Sequence, residues 1–385
     1  MPRLSTMPRS LGVSSTIVIL HNHLNTIYRR VMKQHKAVNS CIEQAMREQR
    51  CAFGDEDALR RALKRRADRG ELISPYQNLY VPPEYWRTMN TCQRSLHVAR
   101  GLARLHPRWI FAAMTAADAH GFDHSWNIHD RCVYLANNEG RLITSKAELS
   151  RRMPVNGYRV SPRLDGRGHD ETKEAPYQVR RLYVPSIESE RVNGIRVTNA
   201  TRTLIDCGLS LPFRFALPLF DSAARKGLDM DTVREACKGM HEDGTPIQTL
   251  LRHATAESEN GGESMVRAII IDNGFAVPQL QVEFRDPAYP VRRFRADFVW
   301  RLYDGRIIVL EYDGMAKYED PSMTHGRTAR QLFNERDERD RTLRAAGVTT
   351  ILHCTYEDAF ISNRLFMMLR DSGVPQLTAD DPYRR

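Results

Sequence analysis

The acidic residues that could do chemistry lie in two short stretches in the last third of the chain. Asp297 lies within the stretch 295–300, and Glu311 and Asp313 follow the apolar run 307–310. Because a strand that is apolar on both faces belongs inside a sheet, the carboxylates at its end are expected to be partly desolvated. Carboxylate oxygens are ligands that Mg²⁺ prefers, together with water and substrate phosphate. The pattern favours a divalent cation shared by Asp297, Glu311 and Asp313, and solvated or turn-capping acids remain the alternative.

The elements that must position these acids can be predicted from the surrounding residues. A turn at 303–305 between the two apolar stretches suits a β-hairpin. Upstream, residues 263–270 have the spacing of an amphipathic helix, and Glu263 lies in its first turn, where it could reach a metal site or favour the helix dipole. We expect residues 255–372 to form a mixed sheet flanked by helices, preceded by a polar linker at 254–262.

The spacing of the acids resembles that of a known nuclease superfamily. Asp297 and the run Glu-Tyr-Asp-Gly at 311–314 resemble the Asp…Glu-x-Lys core of the PD-(D/E)XK nucleases. The resemblance is closest to the branch similar to the very-short-patch repair endonucleases. That branch tends to show a further helix, which here reads Glu-x-x-x-Arg-Asp-x-x-Leu-x-x-x-Gly over residues 335–347.

The resemblance implies an endonuclease that uses Mg²⁺ or Mn²⁺ to hydrolyse DNA phosphodiester bonds. The residues that it implies for catalysis are Glu263, Asp297, Glu311, Asp313 and Lys317. Of these, Asp297, Glu311 and Asp313 would hold the metal, and Lys317 would stabilise the charge that develops on the scissile phosphate. The chain departs from the pattern at Asp313, where the superfamily usually has its lysine. Either Lys317 reaches back into the site, or the site is altered or inactive.

The net charge of the chain is +10, and the excess lies at the amino end. The first hundred residues hold 17 basic and 8 acidic side chains, whereas residues 301–385 hold 13 basic and 14 acidic ones. Such an excess favours a polyanionic partner, and nucleic acid before a membrane. Six basic residues within ten positions are the predicted DNA contacts: Arg60, Arg61, Lys64, Arg65, Arg66 and Arg69.

The residues around this basic run predict a winged helix-turn-helix. Helical spacing at 38–46 is followed by a second helical pattern from residue 55, and then by two short apolar stretches around a turn at 74–78. A helix, a basic helix and a two-stranded wing would offer the second helix to the major groove of DNA. A basic run on a helix can also be simply a solvated face, which is the alternative here.

The amino-terminal segment also resembles a family of antitoxins. Residues 70–80, which begin Gly-Glu-Leu-Ile and end Leu-Tyr, resemble the end of the amino-terminal domain of AbiEi-type antitoxins of abortive-infection systems. Residues 115–121 and 197–206 resemble patterns of the middle region of such chains. The resemblance implies phage defence and a cognate nucleotidyltransferase-type toxin as a partner. It also supplies the alternative function, a non-enzymatic antitoxin or transcriptional regulator that keeps an inactive nuclease fold.

The organisation predicted from these patterns is an α/β protein in several parts. The parts are a disordered arm at 1–35, a winged helix-turn-helix at 36–90, an α/β middle domain at 91–250, a nuclease-like domain at 255–372 and a tail at 373–385. Seven scattered cysteines, none of them spaced Cys-x-x-Cys, favour a reduced protein without structural zinc. With no apolar run long enough to span a membrane, we predict a cytoplasmic protein without a membrane partner.

Three histidines lie close together in the predicted middle domain. His120, His124 and His129 surround Trp126, but no motif at metal-ligand spacing joins them to a carboxylate. They are therefore expected to be ordinary loop histidines.

Overall fold

The computed structural model describes residues 36–125, 128–138, 176–240, 242–289, 291–313, 329–360 and 363–377. These residues mix helices and strands, in agreement with the predicted α/β class. They form two compact units, of which the first comprises 36–105 with 176 and 177, and the second comprises the other described residues from 106 onward. The predicted arm at 1–35 and residues 378–385 of the predicted tail lie outside the described residues. The first residues of the predicted tail at 373–385 belong to the fold instead, because Val374 is buried in a core and Gln376 pairs with Phe275.

The first unit consists of two helices, a hairpin and two more helices. Its elements are α1 (Lys36–Arg47), α2 (Asp57–Asp68), β1 (Ile73–Tyr76), β2 (Leu79–Val81), α3 (Pro83–Arg87) and α4 (Thr91–Leu105). The strands β1 and β2 pair antiparallel, and Asn78 in the turn between them has a φ of 62°, which asparagine tolerates better than most residues. The core of this unit buries apolar side chains from α1, α2 and the hairpin, among them Val38, Ile42, Leu63, Leu72 and Tyr80.

The first unit extends further along the chain than the predicted boundary at residue 90. The helix α4 belongs to it, because the backbone amide of Cys51 donates to the carbonyl of His97 at 3.0 Å. Gly101 of α4 also lies so close to Leu79 of β2 that a Cβ atom at this position would be 3.0 Å from the leucine side chain. Two prolines and a polar stretch before α4 suggested a boundary, but Pro83 begins α3 and residues 88–90 form only a short turn between α3 and α4.

The amino-terminal half of the second unit is mainly helical and contains two pairs of short strands. Its elements are α5 (Ala113–His120), β3 (Cys132–Asn137), β4 (Gln178–Tyr183), β5 (Ser189–Val192), β6 (Ile195–Thr198), α6 (Ala200–Ser210), α7 (Phe213–Arg225), α8 (Met230–Cys237) and α9 (Thr245–His253). The strands β3 and β4 pair in parallel, β5 and β6 pair antiparallel, and Phe111 bridges β3 to β6. Apolar side chains of β3 and β4 share a core with α5, α6, α7, α8 and α9.

The carboxyl-terminal half is built on a four-stranded sheet. Its elements are α10 (Gly261–Asp272), β7 (Gln279–Arg285), β8 (Arg293–Arg301), β9 (Ile307–Asp313), α11 (Ala329–Ala345), β10 (Thr350–Thr355), α12 (Tyr356–Phe360) and α13 (Arg364–Asp371). The strand order is β10, β9, β8, β7, in which β7, β8 and β9 are antiparallel neighbours and β10 pairs in parallel with β9. A core containing Val266 and Leu310 lies on the α10 side of the sheet, and one containing Val309 and Leu343 lies on the α11 side.

The loop at 254–260, predicted as a linker, is tied down by a buried acid. Asp221 of α7 is fully buried and accepts hydrogen bonds from the Thr255 amide at 2.9 Å and the Ser258 hydroxyl at 3.2 Å. The guanidinium of Arg267 on α10 donates to both of its carboxylate oxygens, at 2.8 and 2.7 Å. These contacts, together with the burial of Ala268 in the core of the amino-terminal half, explain why the two halves form a single unit.

Replacing Asp221 by alanine is expected to destabilise the protein by about 3–5 kcal/mol, because Arg267 would be left as a buried charge without its partner. Urea denaturation of the full chain measures this loss. The matched control is Asp337→Ala, which breaks an exposed pair with Arg341 and is expected to cost less than about 1 kcal/mol. Equal losses in the two variants would show that the buried pair does not hold the halves together.

No helix among the described residues is both long enough and apolar enough to cross a membrane.

Candidate functional site

At the predicted metal ligand Asp297, the buried side chains of β7 and β8 switch from one face of the sheet to the other. Leu280 and Phe298 pack into the core on the α10 side of the sheet, whereas Val282 and Ala296, two residues along each strand, pack on the α11 side. Regular strands would keep such residues on one face. The change passes through Gln281, whose φ of 51° lies in the left-handed region that costs a side-chain-bearing residue about 1–2 kcal/mol. Strain of this kind is typical of functional sites.

The carboxylate of Asp297 is fixed beside the end of β9 by a backbone hydrogen bond. Pairing of β8 with β9 ends at Phe298 and Leu310, and beyond it the Tyr312 backbone amide donates to Oδ2 of Asp297 at 2.9 Å. The Gln281 side-chain amide lies 3.5 Å from Oδ1 of Asp297. The Asp297 side chain thus takes the place of a backbone acceptor, which fixes it beside the end of β9.

Glu311 is the buried acid of the site. Its side chain is 9% exposed, and the Arg339 guanidinium of α11 donates to Oε2 at 2.8 Å and to Oε1 at 3.0 Å. Arg339 also donates to the carbonyl of Arg295. Burial and the nearby charges of Asp297 and Asp313 raise the pKa of Glu311, Arg339 lowers it, and the net result is a pKa of about 7. One guanidinium therefore does not neutralise the negative charge gathered here.

Asp313 lies two residues further along β9 and faces a different set of partners. Its Oδ2 is 3.8 Å from Nδ1 of His353 on β10 and 3.7 Å from the Arg336 guanidinium. Nε2 of the same histidine lies 3.1 Å from Oδ2 of Asp340. Asp313 is therefore attached to a polar network between β10 and α11, whereas Glu311 is held by Arg339.

Glu263 lies in the first turn of α10, as the sequence predicts, but its carboxylate is already engaged. It accepts hydrogen bonds from the Glu259 amide at 2.9 Å and from the side-chain amide of Asn260 at 2.7 Å. Asn260 in turn caps the helix by accepting from the amide of Glu263 at 3.0 Å. Gln281 donates to Oε2 of Glu263 at 2.9 Å and connects this acid to Asp297. Glu263 thus supports the site through Gln281.

The four described acids are brought together only in part. Asp297 and Asp313 act electrostatically on Glu311, and Glu263 reaches Asp297 through Gln281. In the described part of the chain, however, no three of these four acids have oxygen atoms that all lie within 4.8 Å of one another. Arg339 donates to both carboxylate oxygens of Glu311, so a cation bound by these oxygens would have to displace or share them with this guanidinium. Lys317, the fifth predicted residue, lies outside the described residues.

The predicted DNA-contacting residues lie on α2 and directly after it, and most of them face solvent. Arg61, Lys64, Arg65 and Arg69 are exposed. Arg60 is half-buried and donates to Asp57 at 2.7 Å. The prediction is wrong for Arg66, which is buried and donates to the Asn39 side chain at 2.9 Å. Arg66 thus holds α2 against α1 and is not one of the DNA contacts.

Gln281 and His353 belong to this site but were not predicted from the sequence. Gln281 has the polar position of an ordinary alternating strand, and only its left-handed backbone distinguishes it. His353 lies in the apolar run of β10, where a histidine between Leu352 and Cys354 was the available signal.

No protein-family model, curated protein or solved structure matches this chain.

Proposed function

We propose that this chain is a DNA-binding protein whose carboxyl-terminal half is a metal-dependent endonuclease that hydrolyses DNA phosphodiester bonds. The observation that carries the proposal is the position of Asp297 beside Glu311 at the end of β9, where the pKa of Glu311 is raised to about 7. Acids whose pKa is perturbed by burial and by neighbouring charges are typical of functional sites. Asp297 lies beside the strained residue Gln281, and the Tyr312 amide fixes its carboxylate. An ordinary acid at a strand end needs neither feature.

The order of elements around the acids supports the same proposal. A helix bearing Glu263, three antiparallel strands bearing Asp297 and Glu311, a helix bearing Arg339 and a parallel strand follow one another in the carboxyl-terminal half. This is the arrangement expected from the resemblance to the PD-(D/E)XK nucleases. Because a fold does not determine activity, the proposal depends on the acids and not on this order.

The donor groups suit Mg²⁺ or Mn²⁺, since carboxylate oxygens are the ligands that these ions prefer. When bound, the cation would supply Lewis-acid stabilisation of the phosphate and an activated water. Asp297 and Glu311 would hold it, and the network of Asp313 and His353 would accept or orient the water. Arg339 would then leave Glu311 and become available to the phosphate.

The exposed basic residues of α2 supply the proposed DNA contacts. Arg61, Lys64 and Arg65 present positive charge on the helix that precedes the hairpin β1 and β2, as in a winged helix-turn-helix. Long basic side chains at these positions can reach phosphates along one groove. The polyanion expected from the net charge of the amino-terminal hundred residues is therefore DNA.

A second candidate function is favoured by one contact. The bidentate pair of Arg339 with Glu311 already gives the buried acid a counter-charge, as a scaffold without a metal would require. In that case the chain is a DNA-binding antitoxin or transcriptional regulator of the AbiEi type, with a toxin as partner and an inactive nuclease fold. The two functions differ in one property, the response of the site to a divalent cation.

Mg²⁺ is expected to raise the melting temperature of the full chain, and to do so more strongly above pH 7 than below it. The pKa of Glu311 is about 7 in the folded protein, against an ordinary value of 4.5. Without metal, the stability that this group contributes is present below its ordinary value and lost as the pH rises to about 7. A cation that binds the ionised form offsets that loss, and protons compete with the cation at lower pH.

Thermal unfolding across this pH range, with Mg²⁺ and with EDTA, measures the effect. The variant Glu311→Gln is expected to lose both the pH dependence and the response to Mg²⁺. A melting temperature that ignores millimolar Mg²⁺ and Mn²⁺ throughout would favour the regulator.

A further inference from the structure

Three buried side chains of the second unit converge between α5 and the loop that follows it. Asp118 lies in the last turn of α5, and His124 and His129 lie in the loop. Nε2 of His124 is 2.8 Å, and Nε2 of His129 is 3.3 Å, from the same oxygen, Oδ1 of Asp118. The three side chains are 0%, 2% and 6% exposed, respectively. This group is a set of metal-ligand donors removed from water and not a surface cluster.

The donor atoms lie close enough together to bind one metal ion: the His129–Asp118 separation is 3.3 Å, and the His124–Asp118 separation of 2.8 Å would widen slightly. Two ligand atoms of a tetrahedral zinc ion, with bonds of about 2.0–2.1 Å, lie about 3.3 Å apart. In this group one ligand atom from each of the three residues lies within 4.8 Å of the others. Both imidazoles also present the same ring nitrogen, Nε2, to the same carboxylate oxygen.

The ring of His124 faces a hydrogen-bond acceptor on each side. Its Nδ1 lies 3.1 Å from the carbonyl of Ser125 and its Nε2 lies 2.8 Å from the Asp118 carboxylate. A neutral imidazole carries one N–H and can donate to only one of them. If Nδ1–H donates to the carbonyl, the lone pair of Nε2 points at a carboxylate, and a cation between them removes the conflict. Metal-bound histidines commonly have this arrangement.

The carboxylate of Asp118 has a second oxygen that needs a positive partner. Oδ2 is buried and has no hydrogen bond with any of the described residues. A buried carboxylate oxygen that accepts no hydrogen bond is costly, and a cation bound beside it would offset that cost.

We propose that Asp118, His124 and His129 bind a divalent transition metal ion, of which Zn²⁺ fits best. Two imidazole nitrogens and one carboxylate oxygen suit zinc, whereas Mg²⁺ prefers oxygen ligands throughout. This site is separate from the proposed catalytic acids in both its residues and its metal. The lack of paired cysteines, which argued against structural zinc, does not bear on a site made of histidines and an aspartate.

The bound ion would fasten the loop that supports the first turn of α10. Asp123, next to His124, pairs with Arg225, which also donates to the carbonyl of Ser258 before α10. A Cβ atom at Gly261 would lie 3.0 Å from the Cβ of Asp123, so the loop and the first turn of α10 approach closely. A metal at Asp118 would therefore stabilise the helix that carries Glu263.

Metal binding by the full chain tests this site. After treatment with EDTA and its removal, the wild type is expected to bind about one Zn²⁺ or Co²⁺ per chain. We expect bound Co²⁺ to absorb in the visible range and the melting temperature to rise by several degrees. The variants Asp118→Asn and His129→Gln should lose the ion. The controls His106→Ala, which changes an exposed histidine of the same unit, and Asp297→Asn, which changes the proposed Mg²⁺ site, should keep it.

Two results would overturn the proposal. One is a wild-type chain that binds neither ion at micromolar concentration and melts at the same temperature with or without EDTA. The contacts of Asp118 with the two histidines would then be ordinary hydrogen bonds. The other is binding of Zn²⁺ by Asp118→Asn and His129→Gln as tight as by the wild type, which would place the ion elsewhere. The wild-type measurement decides the question even if the variants fold poorly.

Discussion

Replacing Asp297 by asparagine is expected to lower the rate of metal-dependent DNA cleavage by at least about a thousandfold, because a lost metal ligand removes several kcal/mol of transition-state stabilisation. Asparagine is a close match in shape, and its side-chain oxygen can still accept the hydrogen bond that the Tyr312 amide donates to Asp297. The variant thus removes the charge and keeps the local structure. Initial rates on duplex DNA, with the protein in excess, measure the change.

The control for this experiment is Asp304→Asn, which changes an acid in the turn between β8 and β9. Asp304 accepts from the Arg306 amide at 3.0 Å, and asparagine can do the same. We expect its cleavage rate to equal that of the wild type. DNA binding should be unchanged in both variants, since neither residue lies on α2. Equal cleavage by Asp297→Asn and the wild type would mean that Asp297 is no metal ligand.

Replacing Arg61, Lys64 and Arg65 by alanine is expected to weaken DNA binding at least about tenfold at physiological salt. The dependence of the binding constant on salt should also become shallower, by up to about three in the logarithmic slope, because each lost phosphate contact removes about 0.9. Titrations of duplex DNA at several salt concentrations measure both quantities.

A matched control changes three exposed basic residues of the second unit, Lys238, Arg341 and Arg344. It alters the net charge equally but leaves α2 intact, so its slope should stay close to that of the wild type. Arg66→Ala should lower stability and leave the slope unchanged, since its side chain packs against α1. An identical slope in the triple variant of α2 and in the control would mean that the basic run is a solvated face.

Local patterns predicted the elements but not the long-range contacts of the site. The apolar spacing placed Glu263 on a helix and Asp297 and Glu311 on strands, because periodicity depends only on neighbouring residues. The switch of face at Gln281 could not be predicted, because it depends on which of the two cores each side chain of the strand packs into. Nor could the pair of Glu311 with Arg339, whose partners lie 28 residues apart.

Burial explains two further differences between the predictions and the structure. Arg66 looks like its neighbours in the basic run, and only its position one turn after Leu63 and Ala62 turns it inward. His124 and His129 have no metal motif, because their carboxylate partner comes from the preceding helix at an unusual spacing. Sequence spacing identifies ligands within one element better than ligands that a loop brings together.

The most direct test of the central proposal is cleavage of long DNA by the wild-type chain, with Mg²⁺ or Mn²⁺ and with EDTA. Duplex and heat-denatured DNA should both be tested, because the strand preference is not fixed by the residues of the site. The proposal predicts strand breaks that need the metal and stop when EDTA is added. DNA that stays intact with either metal, under conditions in which the chain binds it, would contradict a nuclease and favour the regulator.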